Sequence, residues 1–294
     1  MREGIQSYIN RNKTTIENKI KHYISRLEIP ERLESSMAYS LNAGGKRLRP
    51  VLMVASFEAY NESYEKVLTS AAALEMIHTY SLIHDDLPAM DDDDYRRGKL
   101  TNHKQFDEAT AILAGDALLT YSFEIISNDP LLSNSQKVHI INHLAKCSGP
   151  AGMVGGQIMD MKAEKQKVSI EELENIHALK TGELLRFAIH TGAYLGEASA
   201  EELVYLDEFA HYLGLVFQVQ DDILDVIGDE KQLGKRIGSD EDNAKSTYPN
   251  LLGLEGAKKK KTLYVQRAKD ALIQAKADQS YLMDLVDFFS NRDQ

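Results

Sequence analysis

The chain has 294 residues, 43% of them hydrophobic, and a formal net charge of −11. That length can bury a sizeable core, and the acidic balance argues against general nucleic-acid binding, which needs a basic footprint. Cys147 is the single cysteine, which excludes an intramolecular disulfide and points to a reducing compartment. No stretch is expected to supply the roughly 20 apolar residues of a membrane span, and the first residues lack a signal-peptide pattern. A cytoplasmic protein is expected.

Apolar residues recur at helical spacing along the chain. Ile5, Ile9, Ile16, Ile20 and Ile24 predict a leading amphipathic helix that stops before Pro30. A second helix is expected over 32–43, ended by Gly44–Gly45, and Pro50 is expected to open a third that runs to about Tyr60. Further helices are predicted over 67–87, 107–127, 135–148, 153–163, 170–190 and 201–226, then a short one near Asn250 and a last one over 263–289. Strand-like alternation is absent. The expectation is an all-α protein in one domain, 1–294, with a loop over 230–246 that contains Gly234 and Gly238.

Six aspartates fall within ten positions: Asp85, Asp86, Asp91, Asp92, Asp93 and Asp94. A second set follows at Asp221, Asp222 and Asp225. Carboxylates this dense repel unless a cation neutralises them, and hard divalent cations prefer oxygen ligands. On a continuous helix Asp85 and Asp91 would sit about 120° apart. Pro88 cannot lie in a helix interior, so the helix should end near Leu87 and the chain loop back, bringing Asp91 towards Asp85. In the second set Asp221 and Asp225 share one helix face, with Gln218 and Asp222 on the adjoining stripe.

Basic groups come in two sets. Gly44-Gly45-Lys46-Arg47-Leu48-Arg49 reads as an anion grip without P-loop spacing. His78 lies on the Asp85 helix stripe. Arg96 and Arg97 would point to opposite sides of an extended segment and so could serve different anions.

The stretch EMIHTYSLIHDDLPAMDDDDYRRGKLTNHK, with GGKRLRP before it and LKTGELL, GLVFQVQDDILD and LGKRIGSDEDNAKSTYP after it, resembles the short-chain trans-prenyltransferases (polyprenyl synthases), most of all the bacterial farnesyl diphosphate synthases. The likeness runs in register from about residue 38 to residue 256. It implies an antiparallel helical bundle of the isoprenoid synthase type around a deep cavity, with the two Asp-rich helices facing across its mouth. Carried over position by position, Asp85, Asp86, Asp91, Asp221, Asp222 and Asp225 match the metal site, filled by Mg²⁺, usually three ions in enzymes of this kind. Arg96, Lys180 and Lys235 match residues that hold the allylic diphosphate, while Thr181 and Gln218 line the developing cation. Lys46, Arg49, His78 and Arg97 match the isopentenyl diphosphate site.

The resemblance further implies head-to-tail prenyl transfer from dimethylallyl and geranyl diphosphate to isopentenyl diphosphate, in a homodimer. Tyr80 lies five residues before Asp85, roughly 7.5 Å down the helix, and with Ser81 beside it is expected to floor the cavity after about three isoprene units, an inference from side-chain bulk. A smaller residue there would favour the C20 product, so geranylgeranyl diphosphate synthesis is the alternative. A class I terpene cyclase would have Ser or Thr at the place of Asp225. A non-catalytic acidic helical protein or subunit is the remaining class, and the Asp85–Asp94 run lacks the glycine and glutamate of a calcium-binding EF-hand loop.

Overall fold

A computed structural model describes residues 3–164, 166, 168–227 and 246–292 of this chain. It is all-α, as the periodicity requires. The helices are α1 (Ile5–Ile24), α2 (Glu31–Leu41), α3 (Leu48–Glu58), α4 (Leu68–Asp85), α5 (Asn102–Gln105), α6 (Glu108–Ser127) and α7 (Asn134–Ser148). They continue with α8 (Met153–Ala163), α9 (Ile170–His177), α10 (Glu183–Leu195), α11 (Ala200–Ile227), α12 (Tyr248–Gln274) and α13 (Tyr281–Ser290). The expected loop over 230–246, apart from Ser246, lies outside the described residues.

Local chemistry accounts for several helix starts. The Asp107 side chain accepts the Thr110 N–H and caps α6, Ser169 and Glu172 form a reciprocal capping box on α9, and Thr247 caps α12. Leu48, rather than Pro50, begins α3. Pro50 then falls in the first turn, where its missing N–H costs no helical hydrogen bond.

Three departures from the periodicity have physical causes. The predicted helix over 170–190 is interrupted by a π-helical turn at Ala178–Gly182. The helix expected over 263–289 is broken between α12 and α13, where Lys276 takes the left-handed φ of 55° and its N–H caps the carbonyl of Ile273. A two-stranded hairpin, β1 (Tyr95–Arg96) and β2 (Lys99–Leu100), follows α4. Its central residues Arg97 and Gly98 have φ of 54° and 74°, the signature of the tight turn whose twist matches antiparallel strands.

The chain divides into two compact units, residues 1–54 with 63–142, and residues 55–62 with 143–294. In the first, α4 packs along α6, and α1 and α2 lie against them. Its core holds Ile16 and Ile20 of α1, Leu74 and Ile77 of α4, and Ala114 and Leu118 of α6. Among the described residues α6 alone is long and apolar enough, by length and composition, to cross a bilayer, which the sequence reading did not anticipate. Its Gly115 lets the His84 ring of α4 approach so closely that an added Cβ would lie 2.1 Å from Nε2, as helices packed in a core do. In the second unit α11 is the central helix, with α10, α12 and α13 packed around it.

One buried ion pair fixes the loop before α3. The Arg47 guanidinium donates to Glu75 of α4 at 2.6 Å, to Glu17 of α1 at 3.2 Å and to the Leu41 carbonyl at the end of α2. The side chains of Arg47 and Glu75 are 2% and 3% exposed. Removing one partner would strand a charge in the core. Arg47→Met is therefore predicted to destabilise the protein by about 3–5 kcal/mol, read from urea unfolding; an unchanged midpoint would contradict this role.

Candidate active site

The first Asp cluster is shaped by the end of α4. Asp86 is the C-cap of that helix, and the Asp91 N–H donates to the Asp85 carbonyl at 2.9 Å. The chain after Pro88 thus loops back as the proline requires, and two aspartates six residues apart meet at one turn. Asp85 is half-buried and Asp91 exposed.

Not all of these carboxylates face outward. Asp86 is 3% exposed, and both its oxygens accept from Arg96 of β1, at 2.7 and 2.9 Å from Nε and 2.5 Å from Nη2. Burial pushes the Asp86 carboxyl up and Arg96 only partly offsets this. Burial also works against the Arg96 charge, but Asp86 outweighs it and the guanidinium is raised above its ordinary value. Desolvation and a forked cation make Asp86, expected within the metal set, the anchor of Arg96. Asp94 is likewise engaged by Lys104 at 2.8 Å.

Arg97 projects from the hairpin turn onto Gly44, whose carbonyl accepts from its Nη1. Gly45 has φ of 118°, and a Cβ there would lie 2.5 Å from the Arg97 Nη1. The left-handed backbone demands glycine, and the Arg97 guanidinium fills the space beside it. Arg49, in the first turn of α3, lies 3.3 Å from His78 Nε2. Burial first, then the charges of Arg49, Arg97, Arg96 and Arg47, hold His78 well below its usual pKa. The imidazole is therefore neutral, and its Nε2 accepts from Arg49. Lys46 is half-buried in the same loop. A concentration of guanidinium groups of this kind suits a multiply charged anion.

Tyr80 is 7% exposed and meets the His84 ring edge-on at 5.7 Å. Burial, then Asp85, push its hydroxyl up to about 12, so it stays protonated. The Ser81 hydroxyl donates to the His78 carbonyl of its own helix at 2.9 Å.

The second unit builds its cluster around the π turn. Gly156 of α8 lies so close to Lys180 that a Cβ would be 2.3 Å from its backbone nitrogen, and a Cβ on Gly214 of α11 would be 3.1 Å from Gly182 Cα. Two glycines thus let the turn lodge against both helices. An inserted π turn rotates the residues it carries relative to the flanking helices, a device frequent at functional sites. Thr181 Oγ1 donates to Gln218 Oε1 at 3.2 Å, and Lys180 Nζ donates to Asp160 of α8 at 2.5 Å. These four residues line one cavity with His177 and Asp222. Asp222, 4% exposed, accepts the Tyr248 N–H at 3.0 Å, Asp225 is 3% exposed, and Asp221 pairs with Arg292. Lys235 lies outside the described residues.

The polyprenyl synthetase family matches residues 30–285. The chain belongs to that family. It is 48% identical to the farnesyl diphosphate synthase of Geobacillus stearothermophilus over 292 residues, 99% of this chain and 98% of that protein. Its fold is similar to that of a farnesyl/geranylfarnesyl diphosphate synthase from Zymomonas mobilis, with a TM-score of 0.85 and 36% identity, covering 97% of this chain and 98% of that one. It is also similar to a geranyltransferase from Helicobacter pylori solved with magnesium and isoprenyl diphosphate, with a TM-score of 0.84 and 33% identity over 97% and 98% of the two chains.

Several residues of this polyprenyl synthetase were invisible to the sequence reading. Asp160, partner of Lys180, and Arg292, partner of Asp221, carry no motif of their own. His177 is 8% exposed, its Nε2 has no hydrogen-bond partner, and its ring stacks on Tyr248 at 5.8 Å. Burial lowers its pKa to about 4, with the Asp160 charge opposing. An unfolded chain protonates this group near pH 6.5. The stabilisation is therefore complete above about pH 6.5 and lost as the pH falls towards 4. The His177→Phe variant is predicted to lose roughly 3 kcal/mol less stability than wild type over that window, measured by urea unfolding; parallel pH profiles would contradict it.

Proposed function

We propose that this chain condenses isopentenyl diphosphate with dimethylallyl diphosphate and then with geranyl diphosphate, giving farnesyl diphosphate in the cytoplasm. The observation that carries the reading is the loop-back at Pro88, which sets Asp85 and Asp91 on one turn beside the Arg96–Arg97 hairpin. The family match across residues 30–285 favours one catalytic domain comprising both units, and a homodimer is the assembly expected of it.

The donor set suits magnesium. Mg²⁺ typically takes only one or two carboxylates, completing its shell with water and phosphate oxygens. Asp85 and Asp91 in the first motif, and Asp221 and Asp225 in the second, would hold it, with three ions as the proposed number. When bound, the metal neutralises charge on the departing diphosphate.

The chain's own groups do the rest. Lys180, with Lys235, binds the allylic diphosphate and stabilises charge as it departs; Arg96 contributes its charge while Asp86 holds its direction. Thr181 and Gln218, already hydrogen-bonded to each other, present oxygen dipoles to the allylic cation left behind. Lys46, Arg49 and Arg97 take the diphosphate of isopentenyl diphosphate, and neutral His78 orients Arg49. The double bond then attacks, and the proton it sheds passes to the released diphosphate. The bulk of Tyr80, five residues before Asp85 on α4, is given the role of limiting the growing chain, which favours the C15 product over the C20 alternative.

Purified protein given Mg²⁺, isopentenyl diphosphate and geranyl diphosphate is predicted to yield farnesyl diphosphate. Asp85→Asn or Asp221→Asn should lower kcat by at least about 10²-fold, the scale of losing an electrostatic contact made in the transition state. Tyr80→Ala should shift product towards C20. Near-normal turnover in the folded Asp variants would refute metal-assisted ionisation here, and an unchanged product would remove Tyr80 as the floor.

A further inference from the structure

The second Asp motif carries its own cation. Arg292, two residues beyond the end of α13, has a side chain 7% exposed that donates to the Asp221 carboxylate. Its guanidinium lies 3.8 Å from the centroid of the Phe217 ring and donates to the Phe217 carbonyl at 3.1 Å. Burial lowers its pKa, with the Asp221 charge opposing.

The backbone is fastened as firmly as the side chain. Gln220 Nε2 donates to the Arg292 carbonyl at 2.9 Å. Lys261 of α12 donates to Gln220 Oε1 at 2.8 Å and to the Ser290 carbonyl at 2.9 Å. Three helices thus build a cradle for one guanidinium, stacked on an aromatic face and aimed at one carboxylate. Asp221 itself is 38% exposed, so an arriving ion can reach the carboxylate that Arg292 approaches from the buried side.

We propose that Arg292 is the resting counter-ion of Asp221, seated on a carboxylate oxygen that a divalent cation must take over. The inference rests on the reading of Asp221 as a metal ligand. In the metal-free protein the guanidinium relieves repulsion among Asp221, Asp222 and Asp225. A divalent ion brought in with diphosphate competes with it, and the segment after α13 then loosens from α11. The residues after α13 thereby set the metal affinity of the second motif.

The test titrates Mg²⁺ with inorganic diphosphate into the full chain by calorimetry and follows amide hydrogen exchange over residues 286–292. Arg292→Gln is expected to bind at least threefold more tightly than wild type, and Arg292→Lys to stay within twofold of it. In wild type, saturation should speed exchange over 286–292. A merely structural anchor would leave both readouts unmoved. Equal or weaker binding by folded Arg292→Gln, or unchanged or slower exchange on saturation, overturns the proposal. If Arg292→Gln does not fold, Phe217→Leu removes only the aromatic platform, and tighter binding is again expected; unaltered or weaker binding overturns the proposal. Binding by Asp221→Asn as tight as wild type would sink the metal-ligand reading itself, whereas weakened binding there with no effect of Arg292→Gln sinks only the counter-ion role.

Discussion

The forked pair between Asp86 and Arg96 is the constraint on which the first site depends. A buried carboxylate is costly unless a cation meets it, and here one guanidinium satisfies both oxygens of a side chain at the very end of α4. The pair ties the helix terminus to the hairpin. With the hairpin fixed, its turn delivers Arg97 to the Gly44 carbonyl, while Arg49 and His78 form the neighbouring contact. Asp85 and Asp91 stay joined at the same turn through the Asp91 N–H and the Asp85 carbonyl.

The same electrostatic logic recurs in the second unit. Asp160 holds Lys180, Arg292 holds Asp221, and the Tyr248 N–H holds Asp222. Lys180, Asp221 and Asp222 are each seated by an opposite or polar partner. These internal partners set a threshold: metal and diphosphate must offer more than they displace.

Much of this was legible in the sequence. The bounds of α1 and α8 follow from apolar spacing alone, and Pro88 was enough to foresee that Asp91 returns to Asp85. The π turn was not legible, because Ile170 to His190 keeps an apolar rhythm while Gly156 and Gly214, distant in sequence, make room for the extra residue. The hairpin hid for a different reason: its strands are two residues each, too short for alternation to register. The pairing of Asp86 with Arg96 was not legible either, because a motif names carboxylates without saying which one an arginine ten residues away will take. Asp160 and Arg292 escaped altogether, since pairing across 20 and 71 positions leaves no local mark.

The division of labour within the first motif can be seen directly by diffraction. Crystals soaked with Mn²⁺ and diphosphate should show anomalous scattering within bonding distance of Asp85 and Asp91, with both oxygens of Asp86 still on Arg96. Anomalous density on Asp86, with Arg96 swung away, would contradict the account.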